Sequence, residues 1–394
     1  MFARVLSRRK VLGQVIGLGA LALASACAPV ATTGGGPEAP TLQAGAPVPV
    51  ALLVPAGSPN ESDNFVAQNL ENAARLAIAD LNGVQVDLRV YATGGNPTRA
   101  ATVAQTAVAE GAAIILGPLR AEEANAVGVA VADSGVNVMA FSNNPTIAGG
   151  NVFILGPTFQ NTADRLIRYG RGVGIDRYFV VHGTDLGGTL GRDAIQASAA
   201  QNRATVAGVE TYPLSQQGIQ AAAPRIAAAA TASGAQAIFT TADSTVDLPF
   251  LAAALAEAGL QPGTIRLVGL TRWDITPEVL SQPILQEGVF AIPDETLTRA
   301  FESRYEAAYG AAPIPIAALA YDGIAAIGAL AQRGGPQALS RSSLVQGQGF
   351  QGTAGIFRLL PDGTNQRGLA VATVRNNQVV ILDPAPRSFA GAGS

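Results

Sequence analysis

This 394-residue chain is nearly without cysteine, histidine and lysine. Cys27, His182 and Lys10 are the only residues of their kinds. A single cysteine excludes a disulfide within the chain. One cysteine and one histidine exclude a Cys/His zinc cluster, and no metal is expected. A phosphate-binding P-loop needs a lysine directly after its glycines, and Lys10 does not follow any. No Gly-x-Ser-x-Gly elbow is present to organise a serine nucleophile. Charge is also scarce: 13% of residues are charged, against roughly 25% in average chains. The net charge of −3 gives no basic surface, so nucleic acid is not an expected partner. What is abundant is apolar and small: 48% of residues are hydrophobic, with 45 Gly and 24 Pro. Such a chain can bury a large core, and its length suits about two domains. No catalytic residues and no cofactor are expected.

The first residues read as an address. Arg4, Arg8, Arg9 and Lys10 form a basic start, and residues 11–26 are apolar but too short to span a bilayer comfortably. Ala24-Ser25-Ala26-Cys27 resembles the lipobox of bacterial lipoproteins, which implies a signal peptide over 1–26 and lipidation of Cys27. Ser7-Arg8-Arg9-Lys10-Val11-Leu12 resembles the twin-arginine export motif. Two or three acyl chains would hold the protein stably on a membrane, where a single chain binds marginally. Ala28 after the cysteine, by resemblance to the lipoprotein sorting rule, implies the outer membrane, facing the periplasm. Residues 27–46, rich in Ala, Pro, Gly and Thr, read as a flexible tether.

From residue 48 the chain alternates. Strands are expected at 48–54, 84–91, 113–116 and 136–141, and helices at 65–81, 98–110 and 121–134. The pattern repeats with helices at 158–170, 189–201, 219–233 and 248–258 and strands at 178–181, 206–212, 237–240 and 265–269. Short, continuously apolar strands between helices predict βαβ units with parallel sheets covered on both faces. The α/β fold therefore comes as two Rossmann-like lobes around a ligand cleft. The first covers 47–156, with a return of roughly 291–350, and the second covers 157–290. Residues 351–394 form C-terminal strands and a tail, in which Asn376-Asn377 marks a hairpin turn. The apolar stretch 314–331 contains Asp322 and reads as a buried helix rather than a membrane span.

Ligands of open parallel sheets bind beyond the C-terminal strand ends. That rule selects loops 55–64, 117–121 and 142–145 in the first lobe, and 183–188, 241–247 and 271–276 in the second. They are rich in Ser, Thr, Asn, Asp and Gly. Leu116-Gly117-Pro118, the later Val138-Met139-Ala140-Phe141-Ser142, the Asp185-x-x-Gly188 loop and Ala317-Ala318-x-Ala320-Tyr321-Asp322 resemble type I periplasmic solute-binding proteins of the leucine/isoleucine/valine-binding group. Phe141-Ser142-Asn143 and Gly269-x-x-x-Trp273-Asp274 resemble the branch of penicillin-binding-protein activators, outer-membrane lipoproteins that stimulate cell-wall synthases.

The resemblance implies a ligand carboxylate gripped by Ser142 and by amides near Asn143 and Asn144, with an acidic residue of the other lobe taking an ammonium. Arg120 is an added candidate for the carboxylate, or a partner of Glu122 or Glu123. Asp185 is a ligand contact or a helix cap. Trp273 is a cleft wall or a packing residue. His182, Tyr321 and Asp322 read as structural. Two features depart from the amino-acid binders: no Gly-Ala-Thr follows Ser142, and Gly187 stands where an aromatic is usual. The functional expectation is a lipid-anchored binding protein that takes a small polar molecule, such as an amino acid, and is read by an ABC permease. The alternative is a lipoprotein regulator of a peptidoglycan synthase on the same fold.

Overall fold

A computed structural model describes residues 39–389. Cys27, the leader and the export motif lie outside these residues. The apolar runs become strands. β1 (Val48–Val54), β2 (Val86–Ala92), β3 (Ile114–Leu116), β4 (Asn137–Ala140) and β5 (Val152–Ile154) form a fully parallel sheet in the order β2-β1-β3-β4-β5. Helices α1 (Glu61–Asp80), α2 (Pro97–Ala109) and α3 (Ala121–Ala130) connect them. β1 shows why the run is continuous. Val50, Leu52 and Val54 point to one face, against α1, while Ala51 and Leu53 point to the other, against α2 and α3. Both faces are covered, so each residue of the alternation is apolar. Burying a side chain such as Leu52 contributes about 1.5–3 kcal/mol.

The second lobe repeats the scheme with α4 (Phe159–Gly172), β6 (Arg177–Gly183), α5 (Leu186–Gln201), β7 (Thr205–Tyr212), α6 (Gln216–Ala232), β8 (Ala237–Thr240), α7 (Leu248–Glu257), β9 (Arg266–Gly269) and β10 (Val289–Ile292). α4 and α5 cover one face, and α6 and α7 the other. The chain then returns. α8 (Glu295–Tyr309) and α9 (Ala317–Arg333) pack on the first lobe, Phe301 and Ile324 joining the core of Leu52 and Leu70. After α10 (Arg341–Leu344), β11 (Phe350–Gly352), β12 (Gly355–Leu359) and β13 (Asn365–Arg367) make a small antiparallel sheet, and Phe357 enters that same core. β14 (Ala370–Arg375) and β15 (Gln378–Asp383) add antiparallel strands to the second sheet, in the order β15-β14-β10-β9-β8-β6-β7. The residues expected as a C-terminal segment are thus shared between both lobes. Asn376 and Asn377 both take positive φ, 51° and 63°, as a two-residue hairpin turn requires.

Three details differ from the sequence expectation. β5 and β10 are strands that the pattern does not show, because three or four apolar residues carry too little periodicity. α1 starts at Glu61, before the predicted 65, because the Asn60 side chain accepts from the Ser62 N–H and caps it. The end of the tether is seated rather than free: Leu42 N–H donates to the Pro336 carbonyl at 2.9 Å, and Leu42 packs against the first core. No helix among the described residues is long and apolar enough to cross a membrane.

The chain passes between the lobes three times, after β5, after β10 and between β13 and β14. The crossing after β5 is stitched to β13. Asn365, buried, donates to the Ile154 and Gly156 carbonyls at 3.0 and 2.9 Å, and accepts at its own carbonyl from Asn161 at 2.8 Å. Arg367 donates to the Leu155 carbonyl and pairs at 3.3 Å with Asp322, whose other oxygen accepts from the Thr353 N–H and hydroxyl at 2.7 and 2.9 Å. Asp322 belongs to α9, which explains an acid inside an apolar helix.

Candidate ligand cleft

The crossings after β5 and β10 run directly off C-terminal strand ends, which places the C-terminal edges of the two sheets at the junction of the lobes. On the first lobe the edge is polar. The loop after β1 is knit by Asn64, which accepts from Gly57 N–H at 2.8 Å and donates to the Ser58 carbonyl at 2.9 Å. Ser58 donates to Asp63 at 2.7 Å, and Arg120 Nη2 reaches the other Asp63 oxygen at 2.6 Å. The Ser58 hydroxyl first, and then the Arg120 guanidinium, hold the Asp63 carboxyl below the usual carboxylate range, against the opposing effect of burial. Arg120 also lies 3.8 Å from the fully buried Glu123. It therefore joins the loops after β1 and β3, and its charge answers two carboxylates.

Ser142 follows β4 and is buried. Its hydroxyl accepts from Asn144 N–H at 3.1 Å, and its carbonyl accepts from Gly156 N–H at 3.1 Å. Gly156 permits this approach: a Cβ there would lie 2.7 Å from the Ser142 oxygen. Asn144 caps the short turn that follows, while Asn143 is exposed and its side chain is uncommitted. On the second lobe Asp185 is an exposed helix cap, accepting from Gly187 and Gly188 N–H groups at 3.0 and 3.3 Å. Trp273 is fully buried against Phe290 at 5.2 Å, in space left by Gly269 and Gly288, so its ring packs the lobe. His182 is buried too, its Nδ1 2.7 Å from the Gly183 carbonyl.

Sequence reasoning missed two features of the second edge. Tyr212 donates to Asp247 at 2.5 Å, inside the lobe. Burial pushes the Asp247 carboxyl up, and burial beside that acid pushes the Tyr212 hydroxyl up as well. The other is a set of exposed apolar side chains at the strand ends, among them Leu186 and Ile275. Their signal was present as apolar residues placed inside polar loops. A separate groove of about 1230 Å³ lies at the opposite, N-terminal strand ends of the first lobe, lined by residues 40–49, and the tether runs along it.

The family model for periplasmic binding proteins matches residues 47–378. The chain belongs to the periplasmic binding protein family. This places it among binding proteins rather than enzymes, and its compartment is the periplasm. No curated protein matches it in sequence. Solved structures share its fold at low identity. One from Rhodospirillum rubrum, assigned to a branched-chain amino acid ABC transporter, has 19% identity and a TM-score of 0.71, covering 86% of this chain and 100% of that one. A Desulfitobacterium hafniense ABC transporter substrate-binding protein in complex with Leu has 16% identity and a TM-score of 0.59, covering 86% and 100%. A solute-binding protein from R. palustris in complex with benzoate has 16% identity and a TM-score of 0.53, covering 87% and 97%. The two-lobed α/β architecture and the family resemblance read from the sequence agree with these matches.

Proposed function

We propose that this binding protein takes a small organic ligand with a polar head, an amino acid or a related acid, between its two lobes and presents the closed form to an ABC permease. The observation supporting this is the pair of sheets whose C-terminal strand ends, at β5 and β10, carry the chain from one lobe to the other. On the first lobe, Ser142, Asn143 and the amides around Asn144 offer hydrogen bonds to the head. Arg120 ties together the neighbouring loops after β1 and β3. On the second lobe, Asp185 and the loop that starts after β9 close over the ligand, with Trp273 fixing that loop from beneath.

The protein is held at the periplasmic face of the outer membrane by acyl chains on Cys27, after export that the twin arginines direct to the Tat route. Ligand-dependent thermal unfolding over a panel of amino acids and organic acids tests the reading. Binding at a hundredfold excess over Kd stabilises by about 2.7 kcal/mol.

A second reading is favoured by one observation: Ser142 and Asp185 each accept from an N–H of their own loop, and Asp247 accepts from Tyr212 inside the lobe. A cleft complete without ligand suits a lipoprotein that regulates a peptidoglycan synthase. A panel without any stabilising compound supports that regulator and counts against the receptor.

A further inference from the structure

The three passages between the lobes lead back to one buried side chain. The sheet β11–β13 packs on the first lobe, where Phe350, Phe357 and Leu359 enter the core of Leu52. After β5, the crossing at residues 155–158 gives its Leu155 carbonyl to Arg367 of β13. After β10, the crossing at residues 293–294 donates its Asp294 N–H to the Ala354 carbonyl at 2.9 Å, in the turn between β11 and β12. The third crossing, residues 368–369, follows Arg367 directly, and its Gly368 N–H donates to the Ile356 carbonyl of β12 at 2.8 Å.

Asp322, on α9 of the first lobe, holds both attachment points. One carboxylate oxygen accepts from the Thr353 N–H and hydroxyl, at 2.7 and 2.9 Å, and so fixes the turn that receives the crossing after β10. The other oxygen faces Arg367 at 3.3 Å. Arg367 receives the crossing after β5 and leads into the crossing before β14. Gly352 makes room for the carboxylate, since a Cβ there would lie 2.8 Å from each of its oxygens. Asp322, Thr353 and Arg367 are all buried, so these bonds to a charged group are strong and little screened. A change of angle at one crossing therefore pulls on the bonds that hold the other two.

Resting on the reading above that the lobes close on a ligand, we infer that Asp322 is a positioning residue for that closure. By joining the three crossings it confines the angle between the lobes, and so sets ligand affinity without touching the ligand. A looser joint spreads the lobes over more angles. The closed geometry is then a smaller fraction of the whole, and the apparent Kd rises by the inverse of that fraction. The factor is common to every ligand, whereas the loss of a contact residue weakens different ligands unequally.

Asp322→Asn with Arg367→Met tests it, because removing both charges together spares the fold but unties the crossings from each other. Time-resolved energy transfer runs from Trp273, in the second lobe, to an acceptor on Gln68→Cys, at an exposed site on α1 of the first, in a chain carrying Cys27→Ala. Without ligand, the distribution of this distance should be broader in the double variant than in the wild type. Titration with the panel of amino acids and organic acids should show every compound that binds weakened by one common factor, about fivefold or more. Thr353→Val, which removes a single hydroxyl bond to Asp322, should have both effects to a smaller degree, and it decides the matter if the double variant does not fold. A wild-type distance distribution in whichever variant folds overturns the inference. So does a double variant with wild-type affinity, which assigns Asp322 to stability alone, and so does weakening confined to some of the ligands. If the wild type binds nothing on the panel, the ligand reading fails while the energy transfer still decides whether Asp322 confines the lobes.

Discussion

Asp322→Asn should destabilise the protein far more than a change of one atom suggests. The side chains of Asp322 and Arg367 are 1% and 6% exposed, 3.3 Å apart. Asparagine keeps an oxygen for the Thr353 N–H and hydroxyl but removes the counter-charge. The guanidinium then stays buried with the Leu155 carbonyl and the Phe357 ring as its company. Breaking a buried pair from one side costs about 3–5 kcal/mol, a large part of a typical stability of about 5–15 kcal/mol. Urea unfolding reads the loss in far-UV circular dichroism, and the fluorescence of Trp273, the chain's sole tryptophan, follows the second lobe. Asp322→Asn with Arg367→Met removes both charges and should recover most of the loss, since an apolar replacement leaves nothing buried and unpaired. A loss below about 1 kcal/mol in the single variant, or a double variant as weak as the two singles summed, would refute the view that this pair secures the crossing.

Gly156→Ala places a Cβ 2.7 Å from the Ser142 carbonyl and 2.8 Å from the Asn143 nitrogen, both backbone atoms. It should cost about 1–3 kcal/mol in urea unfolding and weaken whatever ligand the wild type binds. Asp63→Asn should lower stability by about 1 kcal/mol near pH 7. The folded carboxyl sits below its ordinary value of 3.8, so its contribution is present above that value and lost as pH falls through the folded pKa. The gap between wild type and variant should therefore close below about pH 4, and a gap independent of pH would assign the effect to shape. Asp185→Ala removes the cap of α5 and should cost about 1 kcal/mol, checked by the same unfolding curves.

The repeating scaffold was legible because burial on both sheet faces forces continuous apolar runs, as in Val50–Val54, and because helices end at glycines such as Gly111 and Gly135 with positive φ. β5 and β10 were not legible: runs such as Val152–Ile154 are too short to show a period. The Asp322–Arg367–Leu155 crossing could not be read either. Its members lie 45 and 212 residues apart in sequence, and nothing local marks them as partners. At the candidate site, the loop rule selects strand-end loops, but it cannot tell a free side chain from one used internally. Ser142 and Asp185 look alike in sequence whether they face a ligand or cap a neighbour. For Arg120 the sequence offers a ligand, Glu122 or Glu123, and only the fold brings Asp63 to it from α1.

Hydrogen exchange with and without the tightest-binding compound of the panel tests the central claim most directly. Ligand held between the lobes should slow exchange in loops 55–64, 117–121 and 142–145 and, together with them, in loops 183–188, 241–247 and 271–276. Protection confined to one lobe, or centred on the groove beside residues 40–49, would contradict a ligand enclosed by both.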